Sequence, residues 1–228
     1  MLNTILVAVG LLVLLAGYGV HTGRAERQRL LARRALAQRF GLRSSGREAG
    51  HHRTWPQFAL LQRGKDRAAV DTLGGPIELG GMACTVLAGL HAHEEPDRNR
   101  TGTVTYHFSF LVLQAPWPRA ALRLEAHSLA ARLRATVVGD GDAMAFESLD
   151  FQRRFRVQTD DERFARAVLH PRMQDLLLDS GITRLEIAAG ALLLGDGETR
   201  WTETELAQQF DFVARFCALW PATLRTDR

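Results

Sequence analysis

The apolar residues of this chain are concentrated first at its N-terminus. From Leu2 to Val20 there is no charged residue, and only Asn3 and Thr4 are clearly polar. About 20 apolar residues at a helical rise of 1.5 Å cross the roughly 30 Å hydrocarbon core of a bilayer. A cleaved signal peptide is the alternative, but no basic residue precedes the run and Tyr18 is bulky for a cleavage site. We therefore predict one transmembrane helix over residues 1–21.

Residues 22–54 follow a different pattern, in which arginines dominate. Apolar residues recur among them at helical spacing as far as Arg39, and Gly41 is placed to end that helix. From Gly41 onward the chain is rich in Gly, Ser and Arg, a composition typical of a linker. We expect a basic juxtamembrane helix and linker over 22–54, a soluble domain over 55–221 and a tail over 222–228.

Alternation with period two marks the first strands of the domain. The clearest run is 104–112, where Val, Tyr and Phe alternate with Thr, His and Ser, as in a half-buried antiparallel strand. Residues 82–93 are its expected hairpin partner. Another strand is predicted over 68–73, with turn signals at 74–76 and 80–81.

Short helices and strands alternate in the C-terminal half. Asp160 and Asp161 are placed to cap one helix, Thr202 and Glu205 form a capping-box pattern before another, and Pro171 stands at a favoured first helical position. Strands are predicted over 122–126, 155–158, 183–188 and 191–194, and helices over 128–135, 148–155, 161–169, 171–178 and 202–220. Hairpins and helices without regular βαβ alternation indicate the α+β class. We expect one transmembrane helix followed by a single cytoplasmic domain with antiparallel strands and several short helices.

The charge distribution gives the predicted membrane helix a direction. Residues 22–53 contain nine arginines and two glutamates, a net charge of +7, although the whole chain carries only +4. Basic residues flanking a span favour the cytoplasmic side. We therefore predict a single-pass protein of the cell membrane, with its N-terminus outside and its C-terminal domain in the cytoplasm.

The same distribution bears on partners. The domain from residue 54 onward is mildly acidic, with a net charge of −3, which argues against nucleic acid. Anionic lipid headgroups are favoured instead, at about 1 kcal/mol for each basic residue near the surface. The expected headgroup contacts are Arg24, Arg27, Arg29, Arg33 and Arg34. A protein partner is compatible with the same pattern.

Three histidines are the main candidates for chemistry. His91 and His93 lie two residues apart on one strand and so share a face, and His107 lies on its hairpin partner. Three imidazoles with Glu94 or Glu95 would suit zinc, or acid–base catalysis, if the register brought them together. The alternative is a hairpin face that carries histidines without a ligand. The sequence does not fix that register, so we assign no metal and no cofactor.

The two cysteines offer no comparable site. Cys84 and Cys217 are far apart, lack CxxC partners and are expected to be buried free thiols. The sequence also lacks a GxSxG, a Walker A and an HExxH motif.

Residues 146–177 carry a distinctive signature. It consists of FESLDFQRRFRV at 146–157, followed by Asp161, Arg163-Phe164-Ala165, Leu169, Pro171-Arg172-Met173 and Leu176-Leu177. This signature resembles a family of bacterial, largely actinobacterial, membrane-anchored proteins of unknown function. The resemblance implies an N-terminal span, a basic flank and paired strands upstream, and it implies no activity. Its large apolar residues are spaced as on the core-facing side of helices.

The sequence leaves two hypotheses of different classes. The favoured one is a membrane-tethered cytoplasmic domain that acts as a non-catalytic protein- or lipid-interaction module, because no catalytic motif is present. The alternative is a membrane-anchored hydrolase that uses the region of His91, His93 and His107. A deep site gathering those imidazoles with a carboxylate would favour the enzyme.

Overall fold

The computed structural model describes residues 31–97, 101–127, 146 and 148–225. The predicted membrane helix over 1–21 and the predicted helix over 128–135 lie outside the described residues. Within the described residues, no helix combines the length and apolar character needed to cross a bilayer. The membrane span therefore stays a prediction.

A single eight-stranded sheet organises the domain. The strands are β1 (Arg43–Ala49), β2 (Lys65–Leu79), β3 (Met82–Pro96), β4 (Thr103–Gln114), β5 (Leu122–Ala126), β6 (Phe155–Thr159), β7 (Arg184–Ala188) and β8 (Ala191–Leu194). Their order across the sheet is β1-β2-β3-β4-β8-β7-β5-β6, and every pairing is antiparallel. The antiparallel α+β domain predicted from the sequence is confirmed.

Short helices surround this sheet. They are α1 (31–40), α2 (His51–Thr54), α3 (Leu149–Arg154), α4 (Glu162–Val168), α5 (Pro171–Asp179) and α6 (Glu203–Leu219), with 3-10 turns at Ala59–Gln62 and Ala222–Leu224. The predicted start signals are confirmed. Asp161 accepts a hydrogen bond from the Phe164 amide, and Thr202 and Glu205 form the capping box.

The larger core lies on one face of the sheet. Leu111 and Leu113 of β4 and Leu194 of β8 belong to the same cluster as Phe210 and Phe216 of α6, and all five side chains are fully buried. Burying a large apolar side chain contributes about 1.5–3 kcal/mol, so this face supplies most of the stability.

A second, smaller core lies on the opposite face. The segment containing α2 and the first 3-10 turn covers it with Trp55, Phe58 and Leu61, which pack on Phe108 and Phe110 of β4. We call residues 51–62 the covering segment. Among the described residues of this cluster, only those of the covering segment come from outside the sheet.

The predicted linker is wrong, because residues 43–54 form β1 and α2. β1 pairs with β2 from Arg43 opposite Gly74 to Ala49 opposite Ala68. It is an edge strand whose side chains are mostly exposed, so it has no apolar alternation that a pattern could reveal. The fold also extends upstream of β1, since Leu36 and Ala37 of α1 are buried in the larger core.

The predicted turn at 74–76 is also wrong, since β2 continues through it. Gly74 pairs with Leu87 and Pro76 with Thr85 on β3. Pro76 lies beyond the last residue that pairs with β1, where β2 has no described strand on that side, and an edge position tolerates the missing N–H. The predicted turn at Gly80-Gly81 is confirmed, with φ angles of 57° and 73°.

We predict that Gly80→Ala destabilises the fold more than Gly81→Ala. Both substitutions force alanine into positive φ, at a cost of about 1 kcal/mol. A Cβ on Gly80 would also lie 2.6 Å from the backbone carbonyl of Cys217, whereas one on Gly81 would meet nothing within 4 Å. Urea denaturation should show an additional loss of about 1 kcal/mol or more for Gly80→Ala. Equal losses for the two variants would contradict the close approach of this turn to α6.

Candidate functional site

A groove of about 380 Å³ opens on the smaller-core face beside α2. We call it the α2 groove. It is lined by Arg43, Ser45, Glu48, Ala49 and Gly50 of β1 and its end, His51, Thr54 and Trp55 of the α2 segment, Gly74 and Gly75 of β2, and Thr85, Val86 and Leu87 of β3. Its volume falls within the range of small-ligand and side-chain sites.

Glycine at position 74 keeps this groove open. Gly74 pairs with Leu87, and a Cβ added to it would lie 3.0 Å from the Leu87 side chain. The sheet is therefore free of side chains at one point on β2, and apolar atoms of Leu87 and Trp55 border the hollow. Arg43 and Thr85 are exposed at its rim.

The wall of the groove formed by α2 is joined to the sheet by a pair of histidines. Nε2 of His51 on α2 and Nδ1 of His91 on β3 lie 2.8 Å apart in a buried hydrogen bond. The two residues are only 4% and 0% exposed. His51 also stacks on Phe110, with ring centroids 5.5 Å apart. A helix of only four residues is thereby fixed to the centre of the sheet.

The imidazoles continue as a row along β3. His91 lies 5.2 Å from His93 between ring centroids, and His93 stacks on the half-exposed ring of Tyr106. Nε2 of His93 lies 3.3 Å from a carboxylate oxygen of Glu95. The row therefore runs from the α2 groove towards the end of the hairpin at which β3 leads into β4.

Burial makes the central pair electrically neutral. Desolvation, with smaller repulsion from His52 and Arg67, lowers the pKa of His51 to about 4, although the Glu48 backbone carbonyl acts in the opposite direction. Desolvation, with repulsion from His51 and His93, lowers the pKa of His91 to about 3. Both rings are therefore neutral at pH 7, so one donates its N–H to the lone pair of the other.

The structure determines the register that the sequence left open, and this register does not bring His107 together with His91 and His93. His91 lies opposite Phe108 and His93 opposite Tyr106, whereas His107 lies opposite Ala92. Directly opposed residues share a face of the sheet, so His107 is on the other face from His91 and His93. No group of three or more potential ligands positioned for a metal ion is found in the described part of the chain.

Sequence reasoning missed His51, whose imidazole lies next to that of His91. The signal was the His51-His52 pair just before Trp55, within the stretch assigned to the linker. Its burial depends on β1, which the apolar pattern did not reveal.

The two cysteines are buried free thiols, as predicted. The fold also places Cys84 of β3 and Cys217 of α6 in the same core cluster, where the Cys84 thiol donates a hydrogen bond to the Met82 carbonyl at 3.5 Å. The influence of Cys84 and burial raise the pKa of Cys217 well above its usual range, so its thiol stays protonated.

The arginines expected at lipid headgroups are only partly described. Arg24, Arg27 and Arg29 lie outside the described residues, and Arg34 is exposed on α1. Arg33 is 14% exposed at its side chain and lies within 3.6 Å of carboxylate oxygens of both Asp71 and Glu203. It therefore joins α1 to β2 and α6.

The domain is similar in fold to the crystal structure of the mycobacterial trehalose monomycolate transport factor A. The TM-score is 0.54 at 12% sequence identity, over 86% of this chain and 97% of that chain. At this identity the likeness shows a shared fold. No protein-family model and no curated protein matches the chain.

We predict that the folded state loses stability as pH falls below about 6.5. The unfolded histidines bind protons near pH 6.5, whereas buried His51 and His91 do so only near pH 4 and 3. Between these values the unfolded state binds more protons, so acid favours unfolding. The free energy of unfolding, measured in urea, should be about 2–4 kcal/mol lower at pH 5 than at pH 7.5 because of this pair.

The control separates this pair from other titrating groups. His51→Phe with His91→Phe should flatten most of the dependence between pH 5 and 7.5, and His107→Gln should retain it. The interpretation fails if the double variant loses as much stability in acid as the unsubstituted chain does.

Proposed function

We propose that this chain is a non-catalytic accessory protein, tethered to the cell membrane, whose cytoplasmic domain binds a partner protein. The observation that carries the proposal is that the candidate catalytic side chains are buried from solvent. His51, His91 and His93 are at most 4% exposed, and His51 and His91 are neutral at pH 7. The open surface beside them, the α2 groove, presents hydroxyls, one guanidinium, one carboxylate and apolar side chains, and of the three histidines only the 4% exposed His51 lines it. Such groups are suited to binding.

The shared fold supports an accessory role. The protein with the similar structure is described as a transport factor, which is a role in support of transport. By analogy, the present domain would assist a membrane process through binding. The analogy comes from the fold alone and does not extend to that protein's cargo.

The ion pairs that the described arginines form within the domain favour a protein partner over lipid headgroups. Arg33 pairs with Asp71 and Glu203, and Arg39 donates a 2.8 Å hydrogen bond to Asp211. Arginines held by carboxylates of the same domain offer less charge to anionic headgroups. The lipid-interaction alternative would depend on Arg34 and on residues upstream of α1.

We predict that the full chain captures a specific protein from native membranes. The bait is the tagged full chain, and the matched control is residues 1–30 fused to an unrelated soluble domain. A partner bound by the domain should be recovered in near-equal molar amount with the full chain and be absent from the control. Recovery of lipid alone, or of the same proteins with both baits, would contradict the proposal.

The tether and its direction have a separate test. The full chain should remain with membranes after alkaline carbonate extraction, and a variant that lacks residues 1–21 should be released, because the predicted span is removed. A C-terminal tag should be protected from protease added to intact spheroplasts and be digested after lysis. Digestion in intact spheroplasts would reverse the predicted orientation.

A further inference from the structure

We propose that the α2 groove is the docking site for an acidic, extended segment of the partner protein, paired with the free edge of β1 so that a carboxylate reaches Arg43. This inference rests on the proposed function and assigns that binding to a place and a chemistry.

The first support is charge complementarity. Residues 43–55, which form β1 and the part of the α2 segment that lines the groove, contain three basic residues and one acidic residue. Residues 56–228 contain 20 basic and 23 acidic residues. The stretch that builds one side of the groove therefore has a net charge of +2, and the chain after it has a net charge of −3. A basic stretch beside a groove favours an acidic partner and speeds its association.

Within the groove, the two charged side chains are not equivalent. A carboxylate oxygen of Glu48 accepts a hydrogen bond from the hydroxyl of buried Thr72 at 3.1 Å, which holds that side chain towards the sheet. Arg43 is exposed at the rim, and its fork of N–H donors matches a carboxylate in a bidentate pair.

The second support is the shape of the hollow. The hollow of about 380 Å³ is walled by β1 and the α2 segment, with Gly74 and Gly75 of β2 at its base. A strand added beside β1 would be extended, so it would insert single side chains into this space. The side-chain-free position at Gly74 provides room for the inserted group.

The third support is the position of β1. It is the terminal strand of the sheet, and among the described strands only β2 pairs with it. The outer edge of β1 can therefore accept a further strand, in the β-augmentation mode of peptide recognition. Side chains of an added strand point alternately to the two faces of the sheet. One set would then lie beside Arg43 and Ser45, which already line the groove.

The test uses the full chain in native membranes, with a photo-crosslinking residue in place of Thr85. Thr85 is exposed and lines the groove, and Thr105, exposed on β4 but outside the groove, is the control position. We expect the protein captured by the unsubstituted chain to crosslink from position 85 and not from 105. Mass spectrometry of the crosslinked peptide should find Asp or Glu within it.

Charge reversal then tests the assigned contact. Arg43→Glu should reduce the crosslink at least tenfold, and Arg43→Lys should reduce it less, because the lysine keeps the charge without the fork of donors. Arg215→Glu makes the same change in net charge at an exposed position of α6 and should leave the yield within twofold. Ser45→Trp, which fills the groove without changing charge, should also abolish the crosslink. Melting temperatures of all variants establish that they remain folded.

Each contrary outcome has a defined meaning. Capture of the partner without a crosslink from position 85 overturns the groove assignment and leaves the proposed function in place. A crosslink to a second copy of this chain, or to lipid alone, overturns the assigned occupant. If Arg43→Glu and Arg215→Glu lower the crosslink yield equally, net charge explains the effect, and the assigned contact between Arg43 and a carboxylate is overturned. Failure to capture any partner with the full chain removes the proposed function itself.

Discussion

Twelve consecutive residue pairs join β3 to β4, and this register determines what every other element meets. It directs Val86 and Ala88 towards the larger core with α6, and Leu87 and His91 towards the smaller core with α2. A slip of one residue would exchange the two sets, moving imidazoles into the larger core and Val86 and Ala88 into the smaller one. Because both faces are buried near the middle of the hairpin, neither face can tolerate that exchange. The α2 groove exists only in the observed register.

The two faces of the sheet are covered by different elements. The larger core contains most of the phenylalanine and leucine packing, and α6, the longest described helix, covers it. The smaller core is covered by a short segment in which a four-residue helix is fixed by a neutral histidine pair. Four large buried side chains, Trp55, Phe58, Leu60 and Leu61, complete the attachment of this cover. The surface proposed for a partner therefore lies beside the smaller of the two cores.

Most local signals in the sequence were reliable, although the turn signal at 74–76 was not, and the pairing of 82–93 with 104–112 was predicted without its register. The period-two run of β4, the Asp161 cap, Pro171 and the Thr202–Glu205 box each depend on neighbouring residues, and each prediction was confirmed. β1 stayed hidden because an edge strand needs backbone partners rather than apolar side chains. The face of His107 depended on a register that single-strand patterns do not contain. The contact of His51 with His91 in turn required β1 to be known, so the candidate site was the least predictable part.

The attachment of α1 has a mechanical consequence. Phe40 stacks on Phe210 with centroids 5.0 Å apart, and Arg33 bridges Asp71 of β2 and Glu203 of α6. A helix held at both ends in this way leaves little freedom between itself and the sheet. The point at which the proposed tether enters the domain is therefore fixed relative to β2 and α6. A partner embedded in the same membrane would meet a β1 edge that does not shift relative to this point, which lowers the orientational entropy lost on docking.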